Sequence, residues 1–387
     1  MKVALITLEG GGISTVCYGL AHNLSIRRTP VVVFTETSRK HEVKVVSDTL
    51  TIDSLHRVEL PPRFFWFQLQ NLQYLLRRTA DFDIIHGVYP DASTFLAHYK
   101  RKLIRPFVVS FHAEPLSNAK EFINTPFSSW TLPDFAHQIL EYPLLSCNLR
   151  ICAEQADHIV VCSLTALNEF QVAYKNLDPE RVSVIYNAVD LEEIRKISPK
   201  QDTINNCENL SIIFAGRLFW VKGLLYLLKA FELVSRDFKN VHLNIYGKGP
   251  EENKSKKFVS NARLNDKVHF HGRIPNKALI AEIKRADLVI VPSLHEAQSL
   301  FVLEAMACEK PLIAFDTPSM REIIEDGENG VLAKSFDYRD LAEKIRVVLT
   351  DRKLRMRLGQ NAHEYVKEKH NWSKQIEKYI KIYEDLS

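Results

Sequence analysis

Residues 287–307 read DLVIVPSLHEAQSLFVLEAMA. The apolar run 287–291 predicts a short buried strand that ends at Pro292. From Ser299 onward, the apolar residues predict a helix. A buried strand that leads through a loop into a helix is the repeating unit of a parallel sheet covered by helices, so this stretch decides the fold class.

The same unit recurs through most of the chain. Strands are predicted at 2–7, 31–35, 83–86, 106–111, 158–162 and 182–186, and again near 210–215, 241–246, 267–271, 287–291 and 311–315. Helical patterns lie between the strands, and three more, near 337–349, 352–369 and 372–386, follow the turn signal Asn329-Gly330. Two such series predict an α/β protein with two doubly wound, Rossmann-like domains.

Composition excludes several classes of protein. With 387 residues, 46% hydrophobic and 25% charged, the chain is globular and long enough for two domains. The net charge of +4 is far from the basic face of a nucleic-acid-binding protein, so no nucleic-acid partner is predicted. No apolar stretch approaches the ~20 residues of a membrane span. The six cysteines form no Cys-x-x-Cys pair, which is typical of reduced thiols and predicts a cytoplasmic location.

A polar stretch at 188–209 indicates the boundary between the domains. The predicted division is 1–188 for the first domain, 189–370 for the second, and 371–387 for a terminal helix. The segment 114–137 lacks clear periodicity and contains Pro115, Pro126 and Pro133, so it is either a functional loop or an unrecognised element.

Ligands of an open parallel sheet bind beyond the carboxyl ends of its strands, so the loops there are the candidate sites. Gly10-Gly11-Gly12 follows the first strand and precedes a helix that is predicted to open at Ile13 or Ser14. Glycines let a ligand approach the backbone, and a helix N-terminus attracts an anion. A tight turn without a ligand explains the same residues. The spacing does not match the dinucleotide fingerprint Gly-x-Gly-x-x-Gly.

Two cations, Arg217 and Lys222, follow the first strand of the second domain and precede a helix. Together they would neutralise a diphosphate leaving group as its bond to a sugar breaks. Solvated surface cations are the alternative interpretation. Gly216 and Gly223 bracket the pair and indicate an unusual loop, so we expect an anion site there.

Two carboxylates and a histidine complete the candidate residues. Glu296 lies in the loop of the opening stretch, and Glu304 lies two turns inside an otherwise apolar helix. Because burying an unpaired carboxylate is costly, Glu304 is expected to face a partner or a ligand hydroxyl. His112 stands at the end of a first-domain strand, where a capped loop histidine is the alternative.

Over nearly its whole length, the chain resembles the family 4 glycosyltransferases, a retaining group with the GT-B architecture. Besides the glycine loop and His112, the resemblance rests on Val161-Cys162-Ser163, Tyr186-Asn187-Ala188-Val189-Asp190, Gly216-Arg217-Leu218 with Lys222-Gly223, Tyr246-Gly247-Lys248-Gly249-Pro250, and the pair Glu296 and Glu304. The family commonly has Glu-Gly-Phe-Gly where this chain has Glu296-Ala297-Gln298-Ser299. Gln298 is therefore expected to influence which sugar is accepted.

The resemblance implies an acceptor-side first domain and a nucleotide-sugar-binding second domain that face a cleft, with the terminal helix crossing back to the first domain. It implies that Arg217 and Lys222 bind the donor diphosphate, Glu304 the ribose and Glu296 the donor sugar. The other implied donor contacts are the amides of Ser299 and Leu300 at the phosphate or sugar, Ile274 near the base, Gly11 and Gly12 against the diphosphate, and His112 at the transferred sugar. The implied catalytic residues are His112, Arg217, Lys222 and Glu296.

The implied reaction is transfer of a hexosyl group, with retention, from a UDP- or GDP-linked sugar to a glycan, lipid-linked or small-molecule acceptor. The resemblance implies no metal and no cofactor. One alternative is a sugar-nucleotide epimerase of the same fold, which would require a cluster of acidic residues in the first-domain cleft, where this chain shows one, Glu114. A glycosyl transfer through a covalent intermediate would need a first-domain carboxylate, for which Glu114 is the candidate. Another alternative is a catalytically inactive nucleotide-sugar-binding protein, which would be expected to lack one of the site cations or glutamates.

Residues 57–78 contain Phe64-Phe65-Trp66-Phe67 and end in Arg77-Arg78. Aromatic residues beside cations suit the interface of an anionic bilayer, which predicts peripheral contact with the cytoplasmic face of a membrane. A core-facing helix with a solvated end is the other interpretation of the same pattern.

Overall fold

The computed structural model describes residues 1–58, 63–100, 103, 105–112, 142–199 and 209–387. Its strands are β1 (Val3–Ile6), β2 (Val31–Thr37), β3 (Glu42–Ser47), β4 (Leu50–His56), β5 (Ile84–Gly87), β6 (Phe107–Phe111), β7 (His158–Val161), β8 (Val182–Val184), β9 (Leu210–Ala215), β10 (Val241–Tyr246), β11 (Val268–Gly272), β12 (Leu288–Val291), β13 (Leu312–Phe315) and β14 (Val331–Ala333). Its helices are α1 (Gly11–Ile26), α2 (Arg63–Thr79), α3 (Pro90–His98), α4 (Tyr142–Gln155), α5 (Leu164–Ala173), α6 (Leu191–Lys196), α7 (Leu224–Asp237), α8 (Glu252–Asn261), α9 (Asn276–Arg285), α10 (Leu300–Ala307), α11 (Pro318–Arg321), α12 (Tyr338–Thr350), α13 (Arg352–Lys369) and α14 (Trp372–Leu386). Short 3-10 turns occur at Pro179–Arg181 and Trp220–Lys222.

The described residues divide into two compact units. Unit 1 contains those from Met1 to Ala188 together with Trp372–Ser387, and unit 2 contains those from Val189 to Asn371. Both are α/β units with parallel sheets, so the predicted fold class is confirmed. The predicted return of the terminal helix to the first domain is confirmed as well, because α14 belongs to unit 1.

Within the described residues, the sheet of unit 1 has the strand order β3-β4-β2-β1-β5-β6-β7-β8. Its pairs are parallel except β3 with β4, which is antiparallel. The β-branched and aromatic residues of β1, β5 and β6 are buried, as expected for strands covered on both faces. Helix α14 is fixed to this unit by a hydrogen bond of 2.6 Å between Tyr383 Oη and His86 Nδ1, both fully buried.

The described sheet of unit 2 has the order β11-β10-β9-β12-β13-β14, with all pairs parallel. One apolar cluster packs α7 and α12 against one face of this sheet. A second cluster packs α9, α10 and α13 against the other face. Unit 2 is therefore a three-layer α/β unit, as its alternating sequence predicts.

The structure corrects several element assignments. Strands β3, β4 and β14 and helix α6 were not predicted. Strand β3 is exposed at every position, β4 is interrupted by the buried Asp53, and β14 spans three residues, so none shows a buried apolar run. Helix α1 begins at Gly11, two residues before the predicted start, and α11 ends at Arg321, short of the predicted 325. The segment 114–137, with Glu114, and residues 200–208 of the predicted boundary lie outside the described residues.

Each sheet reverses its direction of winding at one point. In unit 1 the chain runs from β1 to β2 on one side and places β5 on the other side of β1. In unit 2 the reversal falls between β9 and β12. Ligands of such sheets bind beyond the carboxyl ends of the strands at this reversal. The glycine loop follows β1, the Arg217–Lys222 loop follows β9, and the Glu296 loop follows β12, so all three stand at these two points.

Candidate functional site

The loop after β9 presents Arg217 at the surface of unit 2. The Arg217 side chain is exposed, with its guanidinium 5.5 Å from the ring centre of Phe219. Within the described part of the chain, no carboxylate pairs with it. The loop backbone is held in place by the loop after β10, since Leu218 N donates to Lys248 O at 3.0 Å. Arg217 is thus a free cation on a supported backbone, which suits a bound anion.

Lys222 and Glu296 come together at the reversal point of unit 2. Lys222 Nζ lies 2.5 Å from Glu296 Oε1, and Ser293 Oγ donates to the same oxygen at 2.9 Å. The two charged side chains are 21% and 12% exposed, so the pair is partly accessible from solvent. The pair forms because β9 and β12 are neighbours, although Lys222 and Glu296 are 74 residues apart in sequence.

Backbone contacts lock these two loops together. Leu294 N donates to Val221 O at 2.8 Å. Gly223 has a φ of +66°, and a Cβ atom at this position would lie 1.9 Å from the carbonyl oxygen of Pro292. Only glycine satisfies both the left-handed backbone and the close approach. The loop that carries Lys222 therefore has a fixed position before any ligand binds.

Glu304 is buried in α10 and is 6% exposed. Asn276 Nδ2 donates a hydrogen bond of 2.7 Å to Glu304 Oε1. Burial raises the pKa of Glu304 to about 7, and the hydrogen bond from Asn276 opposes that rise. The expectation that Glu304 has a partner is met by a neutral amide, so its carboxyl group titrates near neutral pH.

The N-terminus of α10 lies between the two glutamates. Ser299 is its N-cap residue, is buried, and makes no side-chain capping hydrogen bond. Within the described ranges, no side chain accepts from the first amide groups of the helix, including that of Leu300, and these amides are oriented to bind an anion. Ile274 is half-buried against the apolar cluster that contains α10, where it supports the loop after β11.

In unit 1 the glycine loop opens directly into α1. Gly10 is the N-cap residue, and its N–H donates to Ser14 Oγ at 3.3 Å, while no described side chain accepts from the amides of Gly11 and Gly12. Gly11 and Gly12 are exposed, Gly11 has a φ of +76°, and a Cβ atom there would meet nothing within 4 Å. The first turn of α1 thus has the open helix N-terminus that an anion site requires.

His112 follows β6 and is held by a hydrogen bond to the backbone of Val88. Its Nε2 atom is buried and has no partner among the described residues. Burial lowers the pKa of His112 to about 4, so the ring is neutral at physiological pH. Because Nδ1 carries the proton that it donates to the Val88 backbone, the unused Nε2 of the neutral ring can accept a hydrogen bond from a ligand hydroxyl.

Two contributors to the site were not recognised in the sequence. Ser293 supports Glu296, and Asn276 supports Glu304. The signal for Ser293 was its position three residues before Glu296. Asn276 had a weaker signal, a polar residue after Pro275 at the start of a helix.

Comparison with known proteins identifies the family and the fold. The fold and the loops at its reversal points define an α/β protein with two Rossmann-like units. The family model "Glycosyltransferase Family 4" matches residues 10–193, and "Glycosyl transferases group 1" matches residues 195–365. The chain belongs to the family 4 glycosyltransferases, and its fold is GT-B.

Curated relatives match part or all of the chain. An uncharacterised glycosyltransferase of Methanocaldococcus jannaschii, MJ1069, is 28% identical over 240 residues, which are 61% of this chain and 60% of the relative. The D-inositol 3-phosphate glycosyltransferase of Corynebacterium glutamicum is 25% identical over 100% of this chain and 97% of its own length. The chain spans less than two thirds of the length of the first three curated relatives that it matches.

Solved structures share the whole fold. Sucrose-phosphate synthase from Thermosynechococcus elongatus has a TM-score of 0.78 at 19% identity, covering 100% of this chain and 99% of that one. Anabaena Alr3699/HepE, solved in complex with UDP and glucose, has a TM-score of 0.76 at 17% identity and covers 100% of both chains.

Proposed function

We propose that the protein transfers a hexosyl group from a UDP- or GDP-linked sugar to a glycan, lipid-linked or small-molecule acceptor. The observation that carries this proposal is the arrangement at the reversal point of unit 2. There, a free Arg217 and the Lys222–Glu296 pair follow neighbouring strands, and the uncapped N-terminus of α10 follows Glu296. The structure of Alr3699/HepE with UDP and glucose supports the choice of a nucleotide-sugar donor.

In this proposal, the donor diphosphate binds Arg217, Lys222 and the amides of Ser299 and Leu300. The two cations stabilise the charge that develops on the diphosphate as its bond to the sugar breaks. Glu296 accepts hydrogen bonds from sugar hydroxyls, Glu304 accepts them from the ribose, and Ile274 lies near the base. In unit 1, Gly11 and Gly12 are proposed to contact an anion, and His112 a sugar hydroxyl.

The proposed transfer retains the anomeric configuration and uses neither a bound metal nor a cofactor. The bond between the anomeric carbon and the diphosphate oxygen breaks as the acceptor oxygen bonds to the same face of that carbon. The acceptor proton passes to the departing diphosphate, which then leaves protonated once. Proton NMR of the product, with and without EDTA, checks both the configuration and the metal independence.

The experiment that tests the function measures release of nucleoside diphosphate from a panel of UDP- and GDP-sugars, with and without a mixture of acceptors. We expect slow release from one donor class, faster release with acceptor, and loss of both in Arg217→Ala. If no donor releases nucleoside diphosphate, or if the product is an epimerised nucleotide sugar, the proposed glycosyl transfer is excluded.

Membrane contact through residues 57–78 is a separate proposal. Two described aromatic side chains of α2 pack inward: Phe67 is fully buried, and the half-buried Phe65 packs edge-on against Phe95 at 5.6 Å between ring centres. Leu69 and Arg77 remain exposed. Residues 59–62 lie outside the described part of the chain. No helix among the described residues is long and apolar enough to cross a membrane.

Co-sedimentation with anionic vesicles at low salt tests this contact. If the exposed side of α2 binds the bilayer, Leu69→Glu should reduce the bound fraction. Failure of the wild-type protein to sediment would favour the core-facing interpretation. A cytoplasmic location likewise stays a prediction.

A further inference from the structure

Glu304 has an unusual environment for a carboxylate inside an apolar helix. Among the described residues, Asn276 is the one that donates to its carboxyl group, and it uses Oε1. No described residue donates to Oε2. One oxygen is thus fixed by the protein, and the other is left to bind a ligand.

The position of Asn276 is set by packing on both sides. It is the first residue of α9, whose Ile280 and Ile283 are buried in the same apolar cluster as α10. Ile274, two residues earlier, packs on that cluster as well. The loop before it is joined to the loop after β10 by a hydrogen bond of 2.8 Å from Gly247 N to Gly272 O. Asn276 is therefore held beside α10 even though its own side chain is exposed.

Charged groups on the surrounding elements are bound elsewhere. Lys277 of α9 lies 4.0 Å from Glu193 of α6, and Lys284 of α9 donates to the carbonyl oxygens of Ile194 and Ile197. His363 of α13 bonds to the carbonyl oxygen of Ala307, and burial raises the pKa of Cys308, one turn after Glu304, to about 12, so that this thiol is neutral. Strand β13 carries no titratable side chain. The amide of Asn276 is consequently the main polar influence on Glu304.

We propose that Asn276 is a positioning residue that orients the Glu304 carboxylate, so that Oε2 accepts hydrogen bonds from the vicinal hydroxyls of a bound ribose. This inference rests on the proposed function, which assigns the ribose to Glu304. A carboxylate accepts two hydroxyl protons, whereas a protonated carboxyl group has lost part of that capacity. Removing the Asn276 amide should both loosen the carboxylate and favour its protonated form.

The test is calorimetric titration with UDP and with GDP between pH 5.5 and 8.5. Wild type should bind one of them more tightly as the pH rises through about 7, because Glu304 loses its proton there. Asn276→Ala should weaken binding at pH 7 by about 10-fold, the loss expected for a hydrogen bond to a charged group, and should move the midpoint to higher pH. Asn276→Asp should move it further, since two carboxylates would then share the site.

Three controls separate the possible causes. Glu304→Gln has no titratable group at this position. Its pH dependence of binding is therefore the part that comes from the nucleotide's own phosphate. Lys277→Ala changes the neighbouring exposed residue of α9 and should bind like wild type. Melting temperatures check that each variant is folded, which is expected because Asn276 is exposed.

The inference is overturned if Asn276→Ala keeps the wild-type affinity and midpoint while Glu304→Gln loses them. The proposed function fails separately if wild type binds neither UDP nor GDP at any pH. A midpoint that is the same in wild type and Glu304→Gln would show that Glu304 does not bind the nucleotide, which overturns the inference as well.

Discussion

The two glycine-containing turns at the reversal points of the sheets are built differently. In unit 2, Gly223 touches the backbone of the loop after β12, where an added Cβ atom would lie 1.9 Å from Pro292 O. In unit 1, an added Cβ atom at Gly11 would meet nothing within 4 Å. Both glycines have positive φ. The turn of unit 2 is thus fixed by the protein itself, whereas the turn of unit 1 has open space beside Gly11.

The largest expected effect comes from Gly223→Ala. The left-handed backbone costs an alanine about 1–2 kcal/mol, and the contact with Pro292 forces two loops apart, so we expect a total loss of more than about 4 kcal/mol. Gly11→Ala should cost only about 1–2 kcal/mol, because no atom obstructs its side chain. Urea unfolding of both variants measures the difference. Equal losses would show that the two turns are supported alike.

A second prediction compares candidate site side chains of the two units. Arg217→Ala and Lys222→Ala should each lower kcat/KM by about 10²–10³-fold, the usual loss when one group that stabilises developing charge is removed. His112→Ala should slow turnover but leave the affinity for nucleoside diphosphate unchanged, because His112 is proposed to contact the sugar. Kinetics and calorimetry of the three variants test this division. Weaker binding of the nucleoside diphosphate by His112→Ala would contradict it.

The two glutamates should have opposite effects on stability. Because burial raises the pKa of Glu304 from 4.5 to about 7, its contribution to stability falls as the pH rises through that window. Glu304→Gln removes this cost. Its stabilising effect relative to wild type should therefore be about 2 kcal/mol larger at pH 8 than at pH 5. Glu296→Gln should instead destabilise by about 1 kcal/mol, because Lys222 loses its charged partner.

Melting curves of both variants at pH 5 and pH 8 provide the check. A Glu304→Gln variant that is less stable than wild type at pH 8 would mean that this carboxylate is better compensated than its single hydrogen bond to Asn276 indicates.

Much of this architecture could be predicted from short apolar runs. Strands such as β1 and β12 are buried on both faces, so their β-branched residues follow one another and are easily recognised. Strand β3 was not predicted because all its residues are exposed at the sheet edge, where a run of apolar residues is not required. Strand β14 has only three residues, too few to show a period.

The candidate site was predictable where one residue type at one position indicates a chemistry. Glu304 could be predicted because a carboxylate is rare in an apolar helix. Arg217 could be predicted because it lies in a loop bracketed by glycines. The pairing of Lys222 with Glu296 depends on the adjacency of β9 and β12, which are not consecutive in the chain. Asn276 reaches Glu304 only through the packing of α9 on α10. Strand order and helix packing are properties of the folded chain, so these contacts required the structure.

The central claim is that unit 2 binds the nucleotide part of a sugar donor through Arg217 and Lys222. A thermal-shift screen of UDP-, GDP- and ADP-sugars tests it most directly, because a ligand at 100 times its dissociation constant stabilises a folded protein by about 2.7 kcal/mol. We predict that UDP- or GDP-sugars raise the melting temperature of the wild-type protein and that the rise is lost in the double variant Arg217→Ala/Lys222→Ala. No shift with any nucleotide sugar, or an equal shift in the double variant, would contradict the claim.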